Sequence, residues 1–189
     1  RLDFVRYALL EGLREQESLG FNPYKLGFAG GTDNHNASPG AVDERAFAGA
    51  NASEDASTLD RLAGPPGANA YQKNLSRNPG GLTGLWAEEN TRDALFDAMV
   101  RREAFATSGT RITPRFFAGF DLPPDLCSRP DQIARAYARG VPMGGDLPPA
   151  TGRQVPTFFV SAARDPGTAS RPGNLLQRVQ IVKGWLGEN

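Results

Sequence analysis

The sequence predicts an α/β region up to about residue 110 and a β-rich segment after it. Three observations carry this expectation. Residues 82 to 108 read in the order strand, helix, strand, which suits helices layered on a sheet. Lys25-Leu26-Gly27-Phe28-Ala29-Gly30 is a short apolar run bounded by glycines, the pattern of a buried strand in a parallel sheet or barrel. Beyond Gly109 the texture turns to β, with strands expected over Arg111–Gly119 and Thr157–Ala162 and polar-apolar alternation from Arg178 to Trp185.

Taken in order, Leu2, Val5, Ala8, Leu9, Gly12 and Leu13 recur at helical spacing with charges between them. They predict an amphipathic helix over residues 2 to 18, stopped by Gly20, with a turn at Asn22-Pro23. From Asn36 to Pro79, Gly, Pro, Ala, Ser and Asn dominate, with one weak helical stretch near Ser57 to Leu62. A connection this long without firm structure is uncommon inside a compact domain and is usually functional or disordered. Leu82–Ala87 reads as a strand. Asn90 is placed to cap a helix running from Thr91 to near Glu103, with Asp93 favourable in its first turn. Phe105–Ser108 returns as a strand, and Asp131–Arg139 forms a helix within the β-rich part. The expected organisation is one part over residues 1–110, including the long loop 36–79, and a β-rich extension over 111–189. No internal repeat is visible.

A chain of 189 residues suffices for one sizeable domain, and 22 Gly with 15 Pro make it loop-rich. Lys plus Arg equals Asp plus Glu at 21 each, which argues against a broad electrostatic grip on nucleic acid or an anionic membrane. No apolar run approaches the roughly 20 residues that span a bilayer. Cys127 is the only cysteine, so an intrachain disulfide framework and a zinc finger are excluded. Arg1-Leu2-Asp3 enters an amphipathic pattern directly, without a signal peptide, and Gln177–Trp185 reads as a strand that stops where a turn should follow. Both ends look cut, and the chain is expected to be a piece of a longer protein.

The chemistry centres on Gly30-Gly31-Thr32-Asp33-Asn34-His35-Asn36. On an extended strand exit, residues two apart point the same way, so Asp33 and His35 would reach one pocket. A carboxylate with an imidazole suits a divalent zinc, manganese or iron ion. The two glycines let the backbone turn sharply at a strand end, where α/β barrels place their chemistry.

The stretch Tyr24 to Gly40 resembles the late motif of a large bacterial family of unknown function within the PHP (polymerase and histidinol phosphatase) superfamily of metal-dependent hydrolases. Three further blocks carry the resemblance in the same order: Gly80–Ala98 running on into Arg101–Ile112, then Val141–Leu147, then Arg178–Trp185. The resemblance implies part of a distorted (β/α)7 PHP-like barrel followed by the β-rich C-terminal segment. It also implies that Asp33 and His35 each bind a metal, within a site of up to three divalent ions in the intact family, and that the reaction is metal-assisted hydrolysis, phosphoester hydrolysis first. The superfamily's other ligands begin with a His-x-His near the N-terminus, but His35 is the only histidine here. The chain is therefore expected to be the C-terminal portion of such a protein, and inactive or nearly so alone. Loss of the site is the other explanation. The alternative function is a non-catalytic binding or interaction module on the same scaffold. The origin is read as bacterial, with cytoplasm and periplasm both open.

Secondary candidates for contact with a small, anionic substrate are Arg111, Glu88 and Glu89. Arg111 follows Ser108-Gly109-Thr110 and would hold an anionic group bidentately or form a salt bridge between the two parts. Glu88 and Glu89 sit between a strand and a helix, where they would orient a ligand or simply favour the helix N-terminus. Asp146 in Met143-Gly144-Gly145-Asp146 is read as shaping a turn, and Cys127 as inert. No Gly-x-Gly-x-x-Gly turn opens a helix and no Gly-Lys-Ser/Thr occurs, which disfavours nucleotide binding. Open sheet edges left by absent strands would favour pairing with another chain, hence a homo-oligomer.

Overall fold

A computed structural model describes residues 4–31 and 81–187. They form two compact units, one of residues 4–27 with 176–187 and one of residues 28–31 with 81–175. Asp33, His35, the loop 36–79 and the helical stretch near Ser57 lie outside the described residues. No helix among the described residues is long and apolar enough to cross a membrane.

In the first unit the chain forms helix α1 (Val5–Leu19), close to the expected 2–18. It ends at Gly20, whose φ of 81° is the left-handed conformation that glycine adopts without a Cβ penalty. Only Gly12 of α1 is buried, and a Cβ there would collide with the Asn22 side chain. Asn22 Oδ1 accepts from the Tyr24 backbone N–H at 2.8 Å, the local turn expected at Asn22-Pro23. Residues 25–30 and 177–185, both expected as strands, carry no strand pairing. Apolar alternation supplies a face for a strand, but a ladder needs paired backbone hydrogen bonds, and neither run makes them among the described residues.

The second unit contains β1 (Thr83–Leu85), α2 (Arg92–Val100), β2 (Ala104–Ala106), β3 (Thr113–Gly119), α3 (Gln132–Arg139), β4 (Val141–Pro142), β5 (Thr157–Ala163), β6 (Gly167–Thr168) and β7 (Arg171–Pro172). β1 pairs β2, β3 lies between β4 and β5, and β6 pairs β7. Every one of these pairings is antiparallel. The expected (β/α)7 barrel, and the parallel α/β layer it would belong to, are thereby corrected: the described residues form short antiparallel sheets and no closed barrel.

The reversal has a local cause at the C-terminal end of α2. Arg102 takes a φ of 59°, Glu103 N–H donates to the Ala98 carbonyl at 3.0 Å, and Arg102 N–H donates to Met99 at 2.9 Å. This is the paired 6→1 and 5→2 bonding of a Schellman stop. It turns the chain back one residue before β2 begins. Trp86 N–H then bonds the Glu103 carbonyl at 3.0 Å and Thr107 N–H the Leu82 carbonyl at 2.9 Å, extending the β1/β2 ladder at both ends. The helix is thus the loop of a hairpin and not a crossover between parallel strands. At the front of α2 the cap is Thr91, whose hydroxyl accepts from Ala94 N–H, and not the expected Asn90.

β3 alternates its faces with period two. Thr113, Arg115, Phe117 and Gly119 share one face, and α3 covers it. Phe117, Leu122, Leu126, Ala136 and Phe159 form the buried cluster, with Ile133 packed against it. On the other face Phe116 stacks on Phe158 with ring centroids 5.7 Å apart. Between β4 and the end of α2 lies a tight contact. Gly145 N–H bonds the Pro142 carbonyl at 3.1 Å across a β-turn whose third residue, Gly144, has a φ of 85°. A Cβ on Gly144 would collide with the Arg102 carbonyl oxygen and lie 2.6 Å from that of Arg101. Gly144→Ala is expected to lower stability by about 2–4 kcal/mol, combining strain at positive φ with backbone overlap. Urea unfolding measures it, and a change within experimental error would contradict this packing. Asp146, just beyond the turn, has its carboxylate 3.9 Å from Arg102.

Candidate functional site

A concave site among the described residues is a cleft of about 580 Å³ where the hairpin, β3, α3 and β4 meet. Its floor is built by the local rules above. The Schellman stop delivers Glu103 to the mouth of the hairpin with its side chain 4% exposed. The period of β3 puts Arg115 on the face that α3 covers. Helical spacing puts Tyr137 four residues after Ile133, on the stripe of α3 that meets the sheet, and its ring stands edge-on to Phe117 at 4.9 Å. Trp86 donates from Nε1 to the Pro114 carbonyl at 2.9 Å and so ties the hairpin to β3.

These side chains form a connected polar network. The Tyr137 hydroxyl donates a short hydrogen bond to Glu103 Oε1. Arg115 Nη1 donates to the Tyr137 oxygen at 3.1 Å, and Arg101 Nε lies 3.5 Å from Glu103 Oε2. The Arg115 guanidinium lies over the Trp86 ring, 3.5 Å from its centroid. Glu103 is therefore a buried carboxylate with two partners, as burial of a charge demands. Arg115 has no carboxylate within ion-pair distance among the described residues.

The Tyr137 phenol is pushed up from 10.0 to about 12, first by burial, then by its hydrogen bond to Glu103 and the charge of that carboxylate; Arg115 and Arg101 oppose the rise. The folded protein thus holds this proton between about pH 10 and 12, where the unfolded chain releases it. The stabilising contribution is complete below pH 10 and is lost as pH rises towards 12. Phenolate absorbance titration of the native protein is expected to show one late tyrosine step that Tyr137→Phe removes. A titration unchanged by that substitution would refute it.

Of the residues expected at a site, Glu88 is exposed and lines the cleft. Glu89 is also exposed and accepts from the Thr91 hydroxyl at 3.1 Å beside the start of α2. Arg111 lies apart from the cleft, and its backbone N–H bonds Asp165 Oδ2 at 2.9 Å. Asp165 is buried and also accepts from Gly167 N–H at 2.8 Å, so it fastens the start of β3 to β6. Glu103, Tyr137, Arg115, Arg101 and Trp86 were not singled out by sequence. In sequence Glu103 marks only the end of a helix, and Tyr137 lies within the helix expected over Asp131–Arg139. The one available signal was Arg115, an arginine at an inward position of a strand otherwise filled by Phe117 and Gly119.

The residues leading to Asp33 and His35 are described up to Gly31. Gly30 N–H donates to the Thr83 hydroxyl oxygen at 3.0 Å, and that hydroxyl donates to the Gly30 carbonyl at 2.8 Å. A Cβ on Gly30 would lie 2.5 Å from the Leu82 carbonyl oxygen, and one on Gly81 would collide with that of Gly31. Close backbone approach therefore requires glycine at Gly30 and at Gly81, whereas a Cβ on Gly31 would meet nothing. Among the described residues no three His, Cys, Asp or Glu side chains are grouped to hold a metal.

Comparison with known families finds one match over the whole chain: residues 1–189 fit the family described as Protein of unknown function (DUF3604). No curated protein and no solved structure matches.

Proposed function

We propose a function from the premise that the chain belongs to the DUF3604 family: it is the C-terminal portion of a metal-dependent hydrolase of the PHP superfamily, with a small anionic substrate and a phosphoester as the first candidate bond. The observation that carries the reading is Asp33-Asn34-His35, two residues beyond a glycine pair held against β1. It rests on this motif and the blocks that accompany it, not on a barrel.

The donor set fits a divalent zinc, manganese or iron ion only in part. Asp33 supplies a hard carboxylate and His35 an imidazole, but two ligands leave most of an ion's coordination to water. Residues outside this sequence would complete the set. When bound, the metal would act as a Lewis acid on water and on the scissile group. The chain's own part is to bring Asp33 and His35 to the metal.

Elemental analysis of the full-length protein tests this. About two to three equivalents of transition metal are expected, partly lost on Asp33→Ala/His35→Ala, whereas the 189-residue chain alone should hydrolyse little or nothing. A well-folded full-length protein without metal would overturn the hydrolase reading and leave a binding module. Robust turnover by the isolated chain would overturn the division of ligands.

A further inference from the structure

We infer that the cleft between the β1/β2 hairpin and α3 is an oxyanion-binding site, in which Arg115, stacked on Trp86, takes a carboxylate or phosphate group of a small molecule. The inference stands apart from the metal reading, because none of its residues is a proposed metal ligand.

Charge and geometry support it together. A guanidinium has five N–H donors in a planar fork. Among the described residues Arg115 makes one hydrogen bond to a side chain, from Nη1 to the Tyr137 oxygen, and no carboxylate there lies within ion-pair distance of it. The Trp86 ring lies beneath it, 3.5 Å from the guanidinium carbon to the ring centroid, and the indole is itself anchored at Pro114. A fork held flat in advance loses little freedom on meeting a planar anion, and this is the arrangement that makes arginine recognise carboxylate and phosphate bidentately.

The neighbouring acid does not spoil the site. Glu103 is already engaged by Tyr137 and Arg101, so its charge is compensated within the network. Arg101 also lines the cleft with its side chain 45% exposed, its charge already set against Glu103, which leaves Arg115 as the cation open to a ligand. A cleft of about 580 Å³ lies within the range that accommodates small-molecule ligands. Glu88 at the rim carries the opposite charge and would disfavour ligands with anionic groups at both ends.

The test uses the full-length protein stripped of metal, so that anion binding at a metal centre cannot contribute. Trp185→Phe leaves Trp86 as the only tryptophan of this chain. Inorganic phosphate and acetate are titrated separately against sodium chloride at matched ionic strength, reading tryptophan fluorescence and calorimetric heat. Saturable binding of at least one anion is expected, weakened roughly ten- to a hundredfold by Arg115→Gln. Binding of phosphate alone would assign a phosphorylated ligand, and of acetate alone a carboxylic acid. Arg115→Lys keeps the charge and the stem but not the fork, and it is expected to weaken binding several-fold even if Arg115→Gln proves unstable. No saturation with either anion, or unchanged affinity in Arg115→Lys, would overturn the assignment.

Discussion

Truncation of Phe117 to alanine is expected to lower the unfolding free energy by about 3–5 kcal/mol. Phe117 is 1% exposed and is the largest fully buried side chain among the described residues. Its ring meets Phe159 at 6.0 Å on the neighbouring strand and Tyr137 at 4.9 Å on α3. Deleting it removes a central contact between sheet and helix and leaves a cavity between elements that cannot close without moving α3. Tyr137 would lose its backing, so the cleft should be disturbed along with the core. Phe116→Ala is the matched comparison, because its ring lies on the opposite face against Phe158, which is 45% exposed. Urea unfolding of both variants is the measurement. Equal losses, or a loss below about 1 kcal/mol at Phe117, would mean that α3 does not cover this face of the sheet.

Glu103→Ala is expected to cost roughly 2–3 kcal/mol, and Glu103→Gln clearly less. The carboxylate is buried, yet its two partners differ in how they would fare without it. Arg101 is 45% exposed and would turn to water. The Tyr137 hydroxyl would keep Arg115 as a donor to its oxygen but lose its own acceptor. The loss should therefore fall short of the about 3–5 kcal/mol typical when a fully buried ion pair is broken. A double-mutant cycle with Tyr137→Phe isolates the shared bond, with a coupling of about 1–2 kcal/mol expected. Removing the carboxylate should also bring the Tyr137 phenol back down towards 10.0, since two of the causes that raise it disappear. Strict additivity of the two substitutions would rule out a direct bond.

Helix α1, strand β3, helix α3 and strand β5 were legible in sequence because each follows from spacing within a single segment. The sense of the hairpin was not. It depends on Arg102 adopting a left-handed conformation that sequence leads one to expect of glycine, and nothing in Arg101-Arg102-Glu103 announces it. Without that turn, the order strand, helix, strand reads as an α/β layer. The cleft was illegible for a related reason. Trp86, Glu103, Arg115 and Tyr137 belong to four different elements or their edges, and only tertiary packing makes them neighbours. Asp33 and His35 are the converse case: they lie two residues apart in one motif, so sequence alone proposes them, whereas a network assembled from distant segments it does not.

For Gly30 the Thr83 hydroxyl takes the place of a ladder partner. By accepting from Gly30 N–H and donating to its carbonyl, one side chain satisfies both backbone groups that a neighbouring ladder residue would otherwise satisfy. A ladder is cooperative, and its bonds break together; a fastening made by one rotatable hydroxyl opens alone. Two net hydrogen bonds stabilise it by only about 1–3 kcal/mol, so the backbone leading into Asp33 can detach while the hairpin stays intact. The approach to the motif is thus latched and not welded, and Thr83 is the latch.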